Sequence, residues 1–280
     1  MEFFKEVFFL YGERKDWFIQ LILEHIGLSF LAICLAGVIG LLLGIWISEH
    51  EWAAAPVLGI ANIFYTIPAI SLLGMLIPLL GIGNTTAVTA LTIYGIMPMV
   101  RNTYAGMKGV SAEVISAAEG MGSTKLQMMT KIKLPLALGV IIAGVRNMVV
   151  MTISVAAIAS FIGAGGLGVA IYRGITMYDT AMTFGGSLLI ALIALISDLI
   201  LGQIEKYIKT RFVRALIREV TSTLGVTAKN YRLVPVQNFT SSSDIDWSQS
   251  IADIDKQLYK KYGLTDAEIQ YIEKTIKAME

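Results

Sequence analysis

Apolar residues fill this chain in blocks long enough to cross a bilayer, and polar residues gather between them. The first block covers residues 18–48, with an uncharged stretch at 26–47. About 20 consecutive apolar residues span a membrane as a helix. Further blocks cover 57–80, 87–104, 136–161 and 183–202. None shows the short alternating segments of an outer-membrane barrel. The pattern predicts an all-α integral membrane protein with five spans. Gly40 and Gly44 lie four apart in the first block, which predicts close helix packing on that face. Pro68 and Pro78 interrupt the second block, so a kink or break is expected at residues 65–68. A break within lipid must be buried in protein or line a polar cavity. Tyr65, Thr66 and Pro68 therefore read either as part of a pathway or gate, together with Pro98 of the third block, or as a packing kink.

Charges inside apolar blocks are expensive and mark a partner, a cavity or an interface. Arg146 and Asn147 lie in the fourth block, and Asp198 in the last block is the expected mate of Arg146. That pair is structural or part of gating. Arg101, near the end of the third block, reads as snorkelling to the cytoplasmic surface. Glu24 and His25, near the outer end of the first, read as snorkelling at the interface or as a substrate contact.

The longest polar interruption is residues 116–135, SAAEGMGSTKLQMMTKIKLP. Ser111 is placed to cap a short helix from Ala112, with Glu113 in its first turn. Gly120 and Gly122 should stop that helix. Thr124 and Gln127 have capping-box spacing for the next one, and Pro135 suits the first turn of the long apolar helix that follows. Ala118 and Gly122 share a helix face and leave it bare, so another protein's surface can approach.

A second interruption, residues 162–174, holds Gly163, Gly165, Gly166 and Gly168. No Lys-Ser/Thr follows, which excludes a phosphate loop. A flexible external or re-entrant loop is expected. No Gly-x-x-x-x-Gly-Lys-Ser/Thr occurs in the sequence at all, so any ATP must be handled by another chain.

Composition agrees with the pattern. The chain of 280 residues is 55% hydrophobic and 15% charged, with mean hydropathy +0.69; soluble domains carry about 25% charged residues. Net charge is +1, which gives no case for nucleic-acid binding. The one cysteine, Cys34, lies mid-span, and the two histidines, His25 and His50, form no metal cluster. Residues 1–17 mix charges with aromatics and lack the form of a cleavable signal. Four lysines lie within 108–133 and five basic residues within 206–218. Positive charge favours the cytoplasmic side, so both segments are expected there, with the N-terminus outside.

Residues 116–135 resemble the coupling loop of binding-protein-dependent ABC importer permeases. Ala117, Ala118, Gly122, Ile132, Leu134 and Pro135 fall in register with its Glu-Ala-Ala, Gly and Ile-x-Leu-Pro positions. Ser116 stands where the family has glutamate, and Glu113 and Glu119 are the nearby carboxylates. In the family this loop docks into a groove on a cytoplasmic ATPase, which implies an ATPase-coupling helix spanning Ala117 to Leu126. The segments FYTIP at 64–68, LLGIG at 79–83, PMVRNTY at 98–104 and IGAGGLG at 162–168 are similar to permease subunits of osmoprotectant importers for glycine betaine, carnitine, choline or proline betaine. The resemblance covers residues 21–209. It implies a five-helix type I importer core and a second permease, identical or related. It also implies a cytoplasmic ATPase dimer holding ATP and Mg, and a solute-binding protein outside. The chain itself would be no enzyme and would bind no cofactor or metal. Methionine and other small-solute permeases share the fold. A secondary transporter or channel is the rival class, and no inverted repeat is visible to favour it.

The expected organisation is an external segment at 1–17, a transmembrane permease domain at 18–218, a linker at 219–247 and a helical hairpin at 248–280. Beyond residue 218 the net charge turns to −2. Ile254, Leu258 and Tyr262 recur at helical spacing, Gly263 suits a C-cap, and Thr265 with Glu268 a capping box. From Val234 through Asp244-Ile245-Asp246-Trp247 to Tyr262-Gly263-Leu264-Thr265, the last 45 or so residues resemble the C-terminal end of adenine-specific DNA methyltransferases. No catalytic methylase motif accompanies them, so the tail reads as a fused or rearranged remnant, open to a regulatory role.

Overall fold

The computed structural model describes residues 2–120, 122–223, 245–246 and 251–275. The chain divides into two compact units, Met1–Gln203 and Ile204–Glu280. All regular elements among the described residues are helical.

The first unit opens with α1 (Glu2–Glu13) and α2 (Lys15–Glu49), followed by α3 (Glu51–Thr66), α4 (Ala69–Leu80) and α5 (Asn84–Lys108). A short α6 (Ala112–Gly120) precedes α7 (Lys125–Gln127), a π-helical stretch (Met128–Lys133) and α8 (Leu134–Val155). A 3-10 stretch (Ala156–Ile162), α9 (Gly168–Thr176) and the start of α10 (Thr180–Thr223) complete it. Three helical segments, Lys15–Glu49, Lys125–Ile162 and Thr180–Ile208, are long and apolar enough to cross a membrane, and the α3–α4 pair counts as a fourth.

The core is a close packing of α2, α5 and α8 made possible by glycine. A Cβ on Gly40 would sit 2.6 Å from the Met99 Cβ, and one on Gly44 2.5 Å from the Thr103 Cβ. The small-residue face expected on the first block is therefore the α2–α5 contact. Gly95 and Gly144 do the same for α5, against Ala36 and Asn102. The expected third span is α5, yet it is less apolar than the helices suited by composition to cross a membrane. It carries Asn84, Thr85, Thr86, Thr89, Thr92, Arg101 and Asn102, and more than half of its residues are buried. Protein surrounds it on several sides and covers Thr86, Thr92 and Thr103, while Asn84, Thr85 and Arg101 are exposed near its two ends.

Two expected boundaries change. The fourth segment does not begin at 136 near Pro135; one helical run extends from Lys125 to Ile162. Proline removes a donor and crowds the preceding turn, and the run accommodates this by widening. The Leu134 amide donates to the Met129 carbonyl, five residues back, which is the π pattern. The last helix does not stop at 202. It starts at Thr180, where the Asp179 carboxylate accepts from the Met182 amide at 2.8 Å, and runs to Thr223. The apolar stretch ends near Gly202, but no proline or glycine lies between residues 203 and 224 to end the helix there.

In the second unit α10 ends at Thr223, and α11 (Ile251–Tyr262) and α12 (Asp266–Thr275) follow after residues outside the description. Gly263 takes φ 58° at the end of α11, and the Thr265 amide and hydroxyl both donate to Glu268, at 2.9 and 2.7 Å. Gly263 is the cap read from the sequence, and the Glu268 carboxylate on the Thr265 amide is one half of the expected box. Most of the 219–247 segment, including Val234 and Asn238-Phe239-Thr240 of the methyltransferase-like stretch, lies outside the described residues.

Candidate functional site

The coupling segment is a helix, a glycine turn and a second helix. Past α6 the Ser123 amide donates to the Ala118 carbonyl at 3.0 Å and the Gly122 amide to Glu119 at 2.9 Å, with Gly122 at φ 78°. Thr124 and Gln127 exchange the two bonds of a capping box, at 2.9 and 3.3 Å. The bare face differs from the expectation. Gly122 lies in the turn and not on α6, and Ala118 is buried, so these two residues do not form one open surface. The exposed groups include Ser116, Glu119, Gly122 and Lys125, with Leu126 at 72% exposure. Ile132, Leu134 and Pro135 are half-buried at the π-to-α join, against which α6 packs. Nothing is described of the Ala117 side chain. Two ion pairs hold this end to the α2–α3 corner: Lys133 with Glu49 at 2.7 Å and Lys108 with Glu51 at 2.5 Å.

The second candidate region is the break. Helices α3 and α4 meet at 99°. Ile67 and Pro68 are extended, at φ −66°, ψ 129° and φ −56°, ψ 137°, as expected for proline and the residue before it. Backbone groups freed here find protein partners. The Ile67 carbonyl accepts from the Tyr94 hydroxyl, the Pro68 carbonyl accepts from Ser71 and Leu72, and the Thr66 hydroxyl donates to Ile63 at 2.8 Å. The Tyr65 ring packs edgewise on Tyr94, with centroids 6.2 Å apart. Pro98 lies one turn beyond Tyr94 in an unbroken α5, where its carbonyl accepts from the Asn102 side chain at 2.7 Å.

Arg146 and Asp198 meet as a bidentate pair, Nε to Oδ1 at 2.6 Å and Nη2 to Oδ2 at 2.7 Å. This geometry joins α8 to α10 and fits the planar fork of arginine. Gly202, one turn past Asp198, approaches the guanidinium; a Cβ there would lie 3.4 Å from its carbon. Asn147 points to an exposed face.

The glycine segment is built into the protein and not a flexible loop. Ala164 and Leu167 are buried. Gly163 and Gly166 take φ 72° and 94°. The Gly166 amide donates to the Glu24 carboxylate at 3.0 Å, and a Cβ on Gly165 would lie 2.3 Å from the same oxygen atom. A Cβ on Gly168 would lie 2.0 Å from the Ala157 carbonyl oxygen. His25 is 1% exposed and bonds through Nε2 to the Ile153 carbonyl at 3.0 Å. Glu24 and His25 therefore do not snorkel. They join α2 to the glycine segment and to the end of α8. Asn84 joins them, accepting from the Gly165 amide at 3.4 Å, and Arg173 stacks over Trp17 at 5.5 Å. Two adjacent ionisable residues in an apolar block were the signal for this cluster, and Tyr94 carried none.

Comparison with known proteins adds the context. Residues 36–214 match the family described as binding-protein-dependent transport system inner membrane component. The chain is 40% identical over 207 residues to the osmoprotectant import permease protein OsmW of Salmonella typhimurium, covering 72% of this chain and 96% of that protein. It is 36% identical over 207 residues to the carnitine transport permease protein OpuCD of Listeria monocytogenes, covering 74% and 93%. Among solved structures, an inward-facing form of the MetNI methionine ABC transporter aligns with TM-score 0.65 and 23% identity over 70% of this chain and 98% of that one. The match with that structure establishes a shared fold.

Proposed function

Because the chain belongs to the family of binding-protein-dependent transport system inner membrane components, we propose that it is the permease subunit of an ATP-driven importer of osmoprotectants such as glycine betaine, carnitine, choline or proline betaine. The observation that carries this reading is 40% identity to OsmW along nearly the whole of that protein. The chain is an inner-membrane protein and not itself an enzyme. Its partners are a cytoplasmic ATPase dimer that holds ATP and Mg, a second permease copy or relative, and an external solute-binding protein. The 111–133 segment faces the cytoplasm and docks on the ATPase through the surface around Ser116, Glu119, Gly122 and Leu126. The N-terminus lies outside. ATP-driven closure of the ATPase pair pulls α6 and the π stretch, and the long Lys125–Ile162 run carries that motion across the membrane. The α3–α4 break and the Arg146–Asp198 pair lie where that motion opens or closes the path.

The test is uptake of labelled glycine betaine at high osmolarity. The host lacks its own osmoprotectant systems and carries this chain with its ATPase and binding protein. Saturable uptake that vanishes with an ATPase-dead partner supports the reading. Assembly without uptake of any of these solutes overturns the solute class and directs the search to methionine and other small solutes.

A further inference from the structure

At the α3–α4 break the backbone leaves helical bonding inside a membrane segment, with Tyr65, Thr66 and Pro68 exposed. Lipid cannot solvate such a backbone, so this face meets protein or a water-filled path. From residue 52 to residue 83 no side chain carries a charge. What the break offers is a π face and the carbonyl end of α3. Tyr65 is 42% exposed. It is braced by Tyr94, which is 6% exposed and fixed by its hydroxyl on the Ile67 carbonyl. The C-terminus of α3 ends at the same point, and its last carbonyls carry the negative end of the helix dipole. Both features attract positive charge without requiring an N–H donor. A quaternary ammonium is such a cation: diffuse, without N–H groups, and held by aromatic faces.

We propose that Tyr65, braced by Tyr94 at the end of α3, is a transit subsite for the quaternary ammonium head of the solute. This rests on the transport reading above and adds a solute contact within the permease itself. The chemistry suits transit. Conduction needs a site that attracts the solute and still releases it; a carboxylate would hold a cation more firmly than an aromatic ring does.

The experiment uses the complex of this chain, its ATPase and its binding protein in liposomes, with labelled glycine betaine as the probe. Tyr65→Phe keeps the ring and is expected within about twofold of wild-type uptake. Tyr65→Leu removes it and is expected to lose roughly tenfold, with complex assembly and ATP hydrolysis intact. If Tyr65→Leu fails to assemble, Tyr65→Met replaces it in the same comparison. Tyr65→Trp, with the strongest cation-binding ring, is expected to retain uptake. Wild-type uptake with an unchanged leucine or methionine variant overturns the subsite and leaves the transport reading standing. So does a phenylalanine variant as poor as leucine, or loss in the tryptophan variant. No wild-type uptake of any quaternary ammonium solute overturns the transport reading itself, independently of any variant.

Discussion

The two ends of the first unit are held by opposite means. At one end, the 108–133 segment is tied to the α2–α3 corner by ion pairs whose acidic partners Glu49 and Glu51 are 40% and 80% exposed. At the other, residues 163–168 are clasped so closely, by the Glu24 side chain at Gly165 and by the Ala157 backbone at Gly168, that no Cβ fits at either. Exposed ion pairs yield to salt and to a partner's charges, whereas backbone contact at van der Waals limit does not yield. In the proposed transport cycle the first end is the one that another surface takes up. The second is built to keep its shape while the rest moves. Between them lies α5, about 37 Å of helix at 1.5 Å per residue.

The sharpest way to break this contrast is to place one methyl group at each end. Gly168→Ala pushes a Cβ onto the Ala157 carbonyl, which is backbone and has no rotamer to retreat into. Overpacking of that kind costs on the order of 3 kcal/mol, and the variant is expected to melt far below wild type in detergent. Gly122→Ala at the other end meets nothing within 4 Å. Its cost is the left-handed φ of 78° alone, roughly 1–2 kcal/mol, and its melting should fall by much less. Equal losses in the two variants would remove the distinction.

Next in size is the carboxylate of the clasp. Glu24→Ala leaves the Gly166 amide without its acceptor in a part-buried site, a loss of roughly 1–3 kcal/mol. Glu24→Gln retains an acceptor oxygen and is expected to restore much of the stability. Equal melting of the two variants would mean that the clasp is steric alone.

These two predictions also show how far the sequence could be read. The helical class, the first span, the break at Pro68, the helix–glycine–helix loop and the Arg146–Asp198 pair all follow from local rules: apolar length, proline geometry, capping spacing and the cost of a charge in lipid. What escaped depends on tertiary neighbours. Glu24 and His25 looked like interface residues because periodicity cannot say that residue 24 meets residue 166. Ala118 looked open because spacing alone placed Gly122 on its helix, whereas the glycine's positive φ turns the chain away. Pro135 does sit in the first turn of α8 as read, but that rule is local and could not say that a π stretch joins α8 to the helix before it. The continuation of α10 to Thr223 was hidden by reading span and helix as one thing.

A smaller effect is expected on the exposed docking surface. Leu126→Asp changes no packing, since that side chain is 72% exposed. Insertion and melting should match wild type, while capture of the ATPase falls by roughly tenfold or more, as for a central apolar anchor. The paired control at the other end is Met177, exposed to 69% just beyond α9; Met177→Asp should leave ATPase capture untouched. Capture lost in the second variant and kept in the first would reverse the assignment of the ends.

The smallest effect is the most selective. Glu49→Gln with Glu51→Gln removes both ion pairs at the coupling end. Such exposed pairs add little to global stability, so melting should be unchanged. Their role is local, because each pins one end of the segment to the α2–α3 corner. Hydrogen exchange should quicken across 111–133 in the double variant and stay at the wild-type rate across 163–168. Raising the ionic strength on the wild-type protein should reproduce the same pattern, since salt screens the exposed pairs and leaves the Gly166–Glu24 clasp largely intact. Faster exchange at the glycine end under either treatment would mean that the two ends are coupled through α5 even in the absence of the ATPase, and that the stiffness of one end is not independent of the fastening of the other.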